Sequence, residues 1–240
     1  MKTDTVSDIL ARRASQVQRG GSRAAVLGYN DGLVSVLCIV IAVAAAGGDT
    51  KTVLTAGLAG LLAGAISMAA GEWVSVKAQV ELFQGILSDL RLVIKRDRQL
   101  LVNNLSARLS ELGVGKKDSA RAAKDVAESD DNLLTVYSAQ VLGVNKDELG
   151  SPWYAAVSSF VLFTIGSILP LIAWFVGLDG GKAIVMAIIL TIFGGLFVGG
   201  FTAHSSGKNI YYGAIRQLII IVIAAGATYG IGSLFGVAIG

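Results

Sequence analysis

Two carboxylic acids stand inside apolar runs long enough to cross a membrane. Asp31 lies in the run 24–46, and Glu72 lies near the end of the run 53–75. An acid at that depth costs about 2.5–3.5 kcal/mol on insertion scales, and such residues mark ion or proton paths. Gly60, Gly64, Met68 and Glu72 follow one another at four-residue steps. On a helix this spacing makes one slowly drifting stripe. The glycines admit a close neighbour, and the thioether and carboxylate then face one cleft. Soft sulfur beside hard oxygen suits a borderline divalent cation such as Fe(II) or Mn(II). Met68 also reads as simple packing, and its residue type does not separate the two. Asp31 sits in Gly28-Tyr29-Asn30-Asp31-Gly32, with Ser35 one turn further on. Glycines on both sides of the acid suggest a tight contact or a local helix distortion. Asp31 lies near the start of its run and Glu72 near the end of its own, the same membrane side in an antiparallel hairpin, so contact with headgroup water is the plain alternative to a site.

The elements that must position these residues follow from composition. The chain has 240 residues, 53% hydrophobic and 15% charged, with 30 glycines and 2 prolines. An ordinary soluble domain carries about 25% charged residues, so this is a membrane chain. Its net charge of +3 gives no reason to invoke nucleic acid. The single cysteine, Cys38, excludes an internal disulfide and a cysteine metal cluster; it reads as a small buried hydrophobe. No cleavable leader is expected, because residues 1–23 are polar and basic and the first apolar run is too long for one.

Five runs are long enough to span about 30 Å of hydrocarbon: 24–46, 53–75, 154–177, 183–203 and 214–237. The fold class expected is all-α: a polytopic membrane protein with five transmembrane helices and a helical cytoplasmic insert between the second and third. The divisions are a tail at 1–23, spans at 24–75, the insert at 76–153 and spans at 154–240. Of the 20 lysines and arginines, all but Lys51 and Lys182 fall in the tail, the insert, or the connection around Lys208 and Arg216. Positive residues stay inside, so the N-terminus and insert are expected in the cytoplasm. An odd span count does not divide into two equal halves; a path needs an internal bundle or a symmetric homodimer.

The insert reads as helical. Leu87, Leu90, Val93 and Ile94, then Leu101, Leu105 and Leu109, recur at three- and four-residue steps. Its first helix is expected to continue the second span. Gly113-Val114-Gly115 should end a helix, with Asp118 and Asp130 as caps of the next two. Pro152 suits the first turn of the third span, and Trp153 and Tyr154 suit an interfacial belt. The acids Glu81, Asp89, Asp97, Glu111, Glu128, Asp130 and Asp131 read mainly as a solvated face. His204, the only histidine, reads as a polar cap. No Ser/His/Asp arrangement, phosphate loop or nucleic-acid motif is visible, so no enzyme is expected.

The stretch from Ser22 through Asp31 to Ser35 resembles the first-helix motif of the vacuolar iron transporter (VIT) family. Ala56-Gly57-Leu58-Ala59-Gly60 and Ser67-Met68-Ala69-Ala70-Gly71-Glu72-Trp73 resemble its second-helix motif, and Gly213-Ala214 with Arg216-Gln217-Leu218 resembles its last helix. The resemblance implies a homodimeric exporter of cytosolic Fe2+, often also Mn2+, coupled to proton entry. It implies Asp31, Met68 and Glu72 as the metal path, with no prosthetic group. The family's insert carries Glu-rich helices that gather metal. Here Glu81 stands at the expected start and Glu111 further on, but Gln84, Asp89, Arg91, Lys95, Arg96 and Arg98 make a poor cage. Glu81 and Glu111 are therefore the weaker candidates. A small chain of this kind suits a bacterial-type member in an inner cell membrane, with a vacuolar membrane the other option. The competing expectation is a membrane scaffold that transports nothing and whose insert binds a partner.

Overall fold

The computed structural model describes residues 20–145 and 150–239, all of them helix, turn or irregular chain. Eight helices follow one another among these residues. They are α1 (Gly20–Ala45), α2 (Thr50–Arg96), α3 (Arg98–Glu111), α4 (Lys116–Val126), α5 (Asp130–Gln140), α6 (Pro152–Phe175), α7 (Gly180–Ser205) and α8 (Ile210–Ile239). The all-α expectation holds. Five of them, α1, α2, α6, α7 and α8, are long and apolar enough to cross a membrane. The second span does run on without a break, ending at Arg96. The tail 1–19 lies outside the described residues.

The chain divides into two compact units, one of residues Gly20–Val74 and Pro152–Gly240 and one that includes Ser75–Ser151. In the first unit α1 is the hub. Its buried face, with Val36, Leu37, Val40 and Ile41, joins Val53 and Leu61 of α2, Leu171 and Trp174 of α6, Ala183 and Ala187 of α7, and Ile221 and Ala225 of α8 in one core. Lipid offers no hydrophobic drive for such assembly, so close packing has to supply it. Glycine makes it possible. A Cβ on Gly28 would stand 2.8 Å from the Ser159 carbonyl oxygen, and one on Gly32 would collide with the Phe163 carbonyl. In return, a Cβ on Gly166 of α6 would collide with the Tyr29 carbonyl. Here the α1 and α6 backbones touch. Pro170 lies inside α6 and is buried; it has no N–H to offer the carbonyl four residues earlier. Hairpin turns between spans use positive φ at Gly47 (92°) and Gly177 (81°), a conformation that side chains with a Cβ resist. Asp49 accepts a hydrogen bond from the Thr52 N–H at 2.8 Å at the start of α2. The Thr52 hydroxyl, and after it this backbone bond, holds the Asp49 carboxyl below the usual range.

The insert unit has its own core: Leu90 and Ile94 of α2, Leu101, Val102 and Leu105 of α3, Ala123 and Ala127 at the end of α4, and Leu133, Leu134 and Tyr137 of α5. The leucine spacing foresaw this apolar face. It did not foresee the break at Asp97, whose carboxylate accepts from the Leu100 N–H at 3.0 Å and starts α3. Two expected caps are corrected. Helix α4 begins at Lys116 behind Gly115, and Asp118 lies inside its first turn. Helix α5 is capped by Ser129, whose hydroxyl accepts from the Asn132 N–H, and Asp130 is its first residue. Ser129 comes one position earlier and leaves Asp130 free to pair with Arg98. Pro152 does open α6, and Trp153 packs edge-on against Trp73 with ring centroids 5.9 Å apart.

Two outcomes follow. Gly166→Val should sharply lower the thermal stability of the detergent-solubilised protein, while Gly226→Ala, where a Cβ meets open space, should leave it within about 0.5 kcal/mol of the parent. Leu105→Ala, at a fully buried position, should cost about 2–5 kcal/mol of insert stability. Hydrogen exchange across α3, α4 and α5 in the whole protein would read it.

Candidate functional site

Each residue of a helix turns about 100° from the one before, and that arithmetic arranges the surroundings of Asp31. Gly28 and Gly32 share one face of α1, pressed on α6. Asn30 points about 180° from that face and accepts a hydrogen bond from Gln217 Nε2 of α8. Tyr29 and Leu33 form a third face: both meet the position where Gly194 of α7 lacks a side chain. Asp31 occupies the remaining flank, about 80–100° from both clamped faces. It is half-buried. Its carboxylate accepts a hydrogen bond of 2.8 Å from the Ser35 hydroxyl, one turn on. Among the described residues no lysine or arginine pairs with it. The acid therefore sits on a closely held helix with one donor and no counter-ion among the described residues.

Helix α2 carries the stripe foreseen from sequence. A Cβ on Gly60 would meet Ile39 of α1, and one on Gly64 would meet the Phe163 ring of α6. A Cβ on Gly57, one turn nearer the start, would stand 2.5 Å from Leu171 and 2.9 Å from Val40. At these glycines side chains of α1 and α6 reach across to α2, with no backbone contact of the kind made by α1 and α6. Met68 and Glu72 continue the stripe and are half-buried. Glu72 makes no ion pair among the described residues. Both keep open faces. The opposite side of α2 exposes Leu62, Ile66 and Val74, a surface fit for lipid or another copy of a membrane chain. No group of three His, Cys, Asp or Glu side chains comes together among the described residues, so neither Asp31 nor Glu72 belongs to one.

The weaker candidates lie in the insert unit, and both are exposed. Glu81 pairs with Lys77 at 3.3 Å. Glu111 pairs with Arg108 at 3.0 Å, while Arg108 Nε also donates to the Gln140 carbonyl at 3.1 Å. Glu111 lines an open cavity of about 590 Å³ with Asn103, Ser106, Ser110 and Lys116. The other described insert acids are exposed, as a solvated face requires. His204 lies exposed in the last turn of α7, and Cys38 is a half-buried free thiol.

Residues 22–233 match the VIT family. The chain belongs to that family. The match reaches into all five spans and takes in the insert between them, so the helices that hold Asp31, Met68 and Glu72 are VIT helices. Among curated relatives, vacuolar iron transporter homolog 1 of rice, Oryza sativa subsp. japonica, is 32% identical over 89% of this chain and 73% of its own length. Rice homolog 2 is 33% identical over 82% of this chain and 85% of its own. The vacuolar iron transporter of Acanthamoeba castellanii is 30% identical over 90% of this chain and 78% of its own. VIT membership makes this a multi-pass membrane protein of a transporter family, which leaves no place for an enzyme.

Sequence reasoning quoted Gln217 only as part of a motif and missed its partner. The available signal was a carboxamide in the apolar run 214–237, where a lone amide needs an acceptor on another helix. Nothing in the spacing could say that the acceptor is Asn30. Tyr29 was likewise passed over, since only the structure carries its hydroxyl to α7.

Proposed function

We propose that this VIT protein exports a divalent transition metal, ferrous iron and/or manganese, from the cytoplasm in exchange for protons. Asp31, Met68 and Glu72 form its path. The observation that carries the reading is a half-buried intramembrane carboxylate, Asp31, with one hydroxyl donor and no counter-ion among the described residues. A charge kept there without a partner is costly unless a cation visits it. Glu72 supplies a second carboxylate and Met68 a softer ligand one turn away, a mixture that favours Fe2+ and Mn2+ over hard Mg2+. The names of the relatives, vacuolar iron transporter and its homologs, support iron as cargo.

The exchange is simple chemistry. A carboxylate that holds the metal is free of its proton. When the metal leaves on the far side, the carboxylate takes a proton and carries it back. Two carboxylates trading one divalent cation for two protons leave the site's charge unchanged. In this reading two copies complete the path across a symmetric axis, because one chain offers too few ligands and α2 keeps an open face. The placement of all lysines and arginines but Lys51 and Lys182 in the tail, the insert and the connection around Lys208 and Arg216 supports a cytoplasmic N-terminus and insert. The membrane is then the cell membrane of a bacterial-type member, or a vacuolar membrane as in the names of the relatives. Glu81 and Glu111 enter only as secondary acceptors, since a metal there must displace Lys77 or Arg108.

In proteoliposomes with a metal reporter and a pH reporter, the parent protein should couple Fe2+ or Mn2+ flux to opposite proton flux. Asp31→Asn and Glu72→Gln should each reduce both fluxes to background with the protein still folded. Wild-type flux in both variants would remove the mechanism. A parent protein that neither binds nor moves metal would favour the scaffold instead.

Met68→Leu should change the ratio of Fe2+ to Mn2+ flux more than it changes thermal stability. A loss of stability with an unchanged ratio would return Met68 to packing.

A further inference from the structure

We infer that Gln217 of α8 is a positioning residue for the metal path: by holding Asn30 it fixes the rotation of α1, and with it the direction of Asp31. The inference rests on Asp31 being a metal ligand, as proposed above. Gln217 is only 6% exposed, two turns into α8 and followed at once by the apolar run Leu218 to Ala225. Its stem lies in a slot cut by α7. A Cβ on Gly195 would stand 3.0 Å from Gln217 Cγ, and a Cβ on Gly199 would stand 3.0 Å from Gln217 Cβ. Next to the slot, Gly199 and Gly213 bring the α7 and α8 backbones into contact. The side chain thus leaves a fixed base in one direction, and its amide nitrogen donates to Asn30.

The consequence follows from helix geometry. Gly28 and Gly32 hold one face of α1 by backbone contact with α6. Glycine contacts set how near two helices come, but a smooth surface resists rotation poorly. A hydrogen bond on the opposite face, about 180° away, resists it well. Asn30 and Asp31 are neighbours, so any rotation of α1 that breaks the Asn30 bond swings the Asp31 carboxylate by the same angle. Gln217 would touch no metal; it acts through Asn30.

The test uses full-length protein in proteoliposomes and reads flux against Fe2+ and Mn2+ concentration. Gln217→Met keeps the volume and removes the amide. Interhelical side-chain bonds in membranes are modest, so the half-saturating metal concentration should rise roughly three- to ten-fold, with maximal flux per folded molecule near that of the parent. Gln217→Asn shortens the reach and should do the same. Adding Asn30→Gln to Gln217→Asn returns the missing methylene from the other side and should restore half-saturation. An unchanged half-saturation with maximal flux falling in step with folded protein would overturn the inference. If Gln217→Met yields no folded protein, the exchanged pair decides: failure of Asn30→Gln to rescue Gln217→Asn overturns it. Asp31→Asn in the same assay separates the two levels. Flux surviving in Asp31→Asn overturns the transport reading beneath; flux lost there but with parental half-saturation in Gln217→Met overturns this inference alone.

Discussion

In the membrane unit one helix has to touch four others. The structure depends on that constraint, because α1 carries the intramembrane acid and each neighbour occupies a different part of its circumference. The close approach of α1 and α6 depends on absent side chains: Gly28, Gly32 and Gly166 let two backbones meet. Hydrocarbon around the bundle is as apolar as leucine, so burying more leucine would gain little. Contact distance is what holds such a unit together. A methyl group on Gly32 or Gly166 would push the helices apart at the level of Asp31.

The polar groups in the bundle answer to the same shortage of water. Asn30 and Gln217 satisfy one another across two helices. Ser35 satisfies Asp31 within one. Thr228 returns its proton to the Ala224 carbonyl on its own helix. Ser159, Ser167 and Thr191 have buried hydroxyls with no hydrogen-bond partner among the described residues. Two of these, Ser159 and Ser167, stand against Gly28 and Gly32, where backbone contact leaves little room to turn toward a carbonyl. Tight glycine packing thus brings a small polar cost with it.

Much of this was legible in the residues. Apolar runs placed all five spans, because a membrane helix needs about 20 apolar residues and little else looks like that. The continuity of α2 followed from the lack of a breaker before Gln84, but the close helix approach expected at Gly60 and Gly64 is made by the side-chain ends of Ile39 and Phe163 and not by a neighbouring backbone. What stayed hidden was pairing between distant helices. Asn30 lies 187 residues from Gln217, and no local pattern links them. The caps of α4 and α5 were misplaced by one to three residues because several Ser, Asp and Gly residues stand together there, and each is an acceptable cap. The break at Asp97 was missed because the leucine spacing runs on through it.

Pro170 gives α6 an uneven stiffness. Proline withholds the amide that would have bonded the carbonyl of Gly166, and Gly166 is the residue seated against the Tyr29 carbonyl. The missing rung of the ladder therefore lies beside one of the tight joints of the bundle. A bend of α6 at that rung would meet α1 at Tyr29, one residue from Asn30. A span that is pinned and pliant at the same level is suited to small, repeatable excursions.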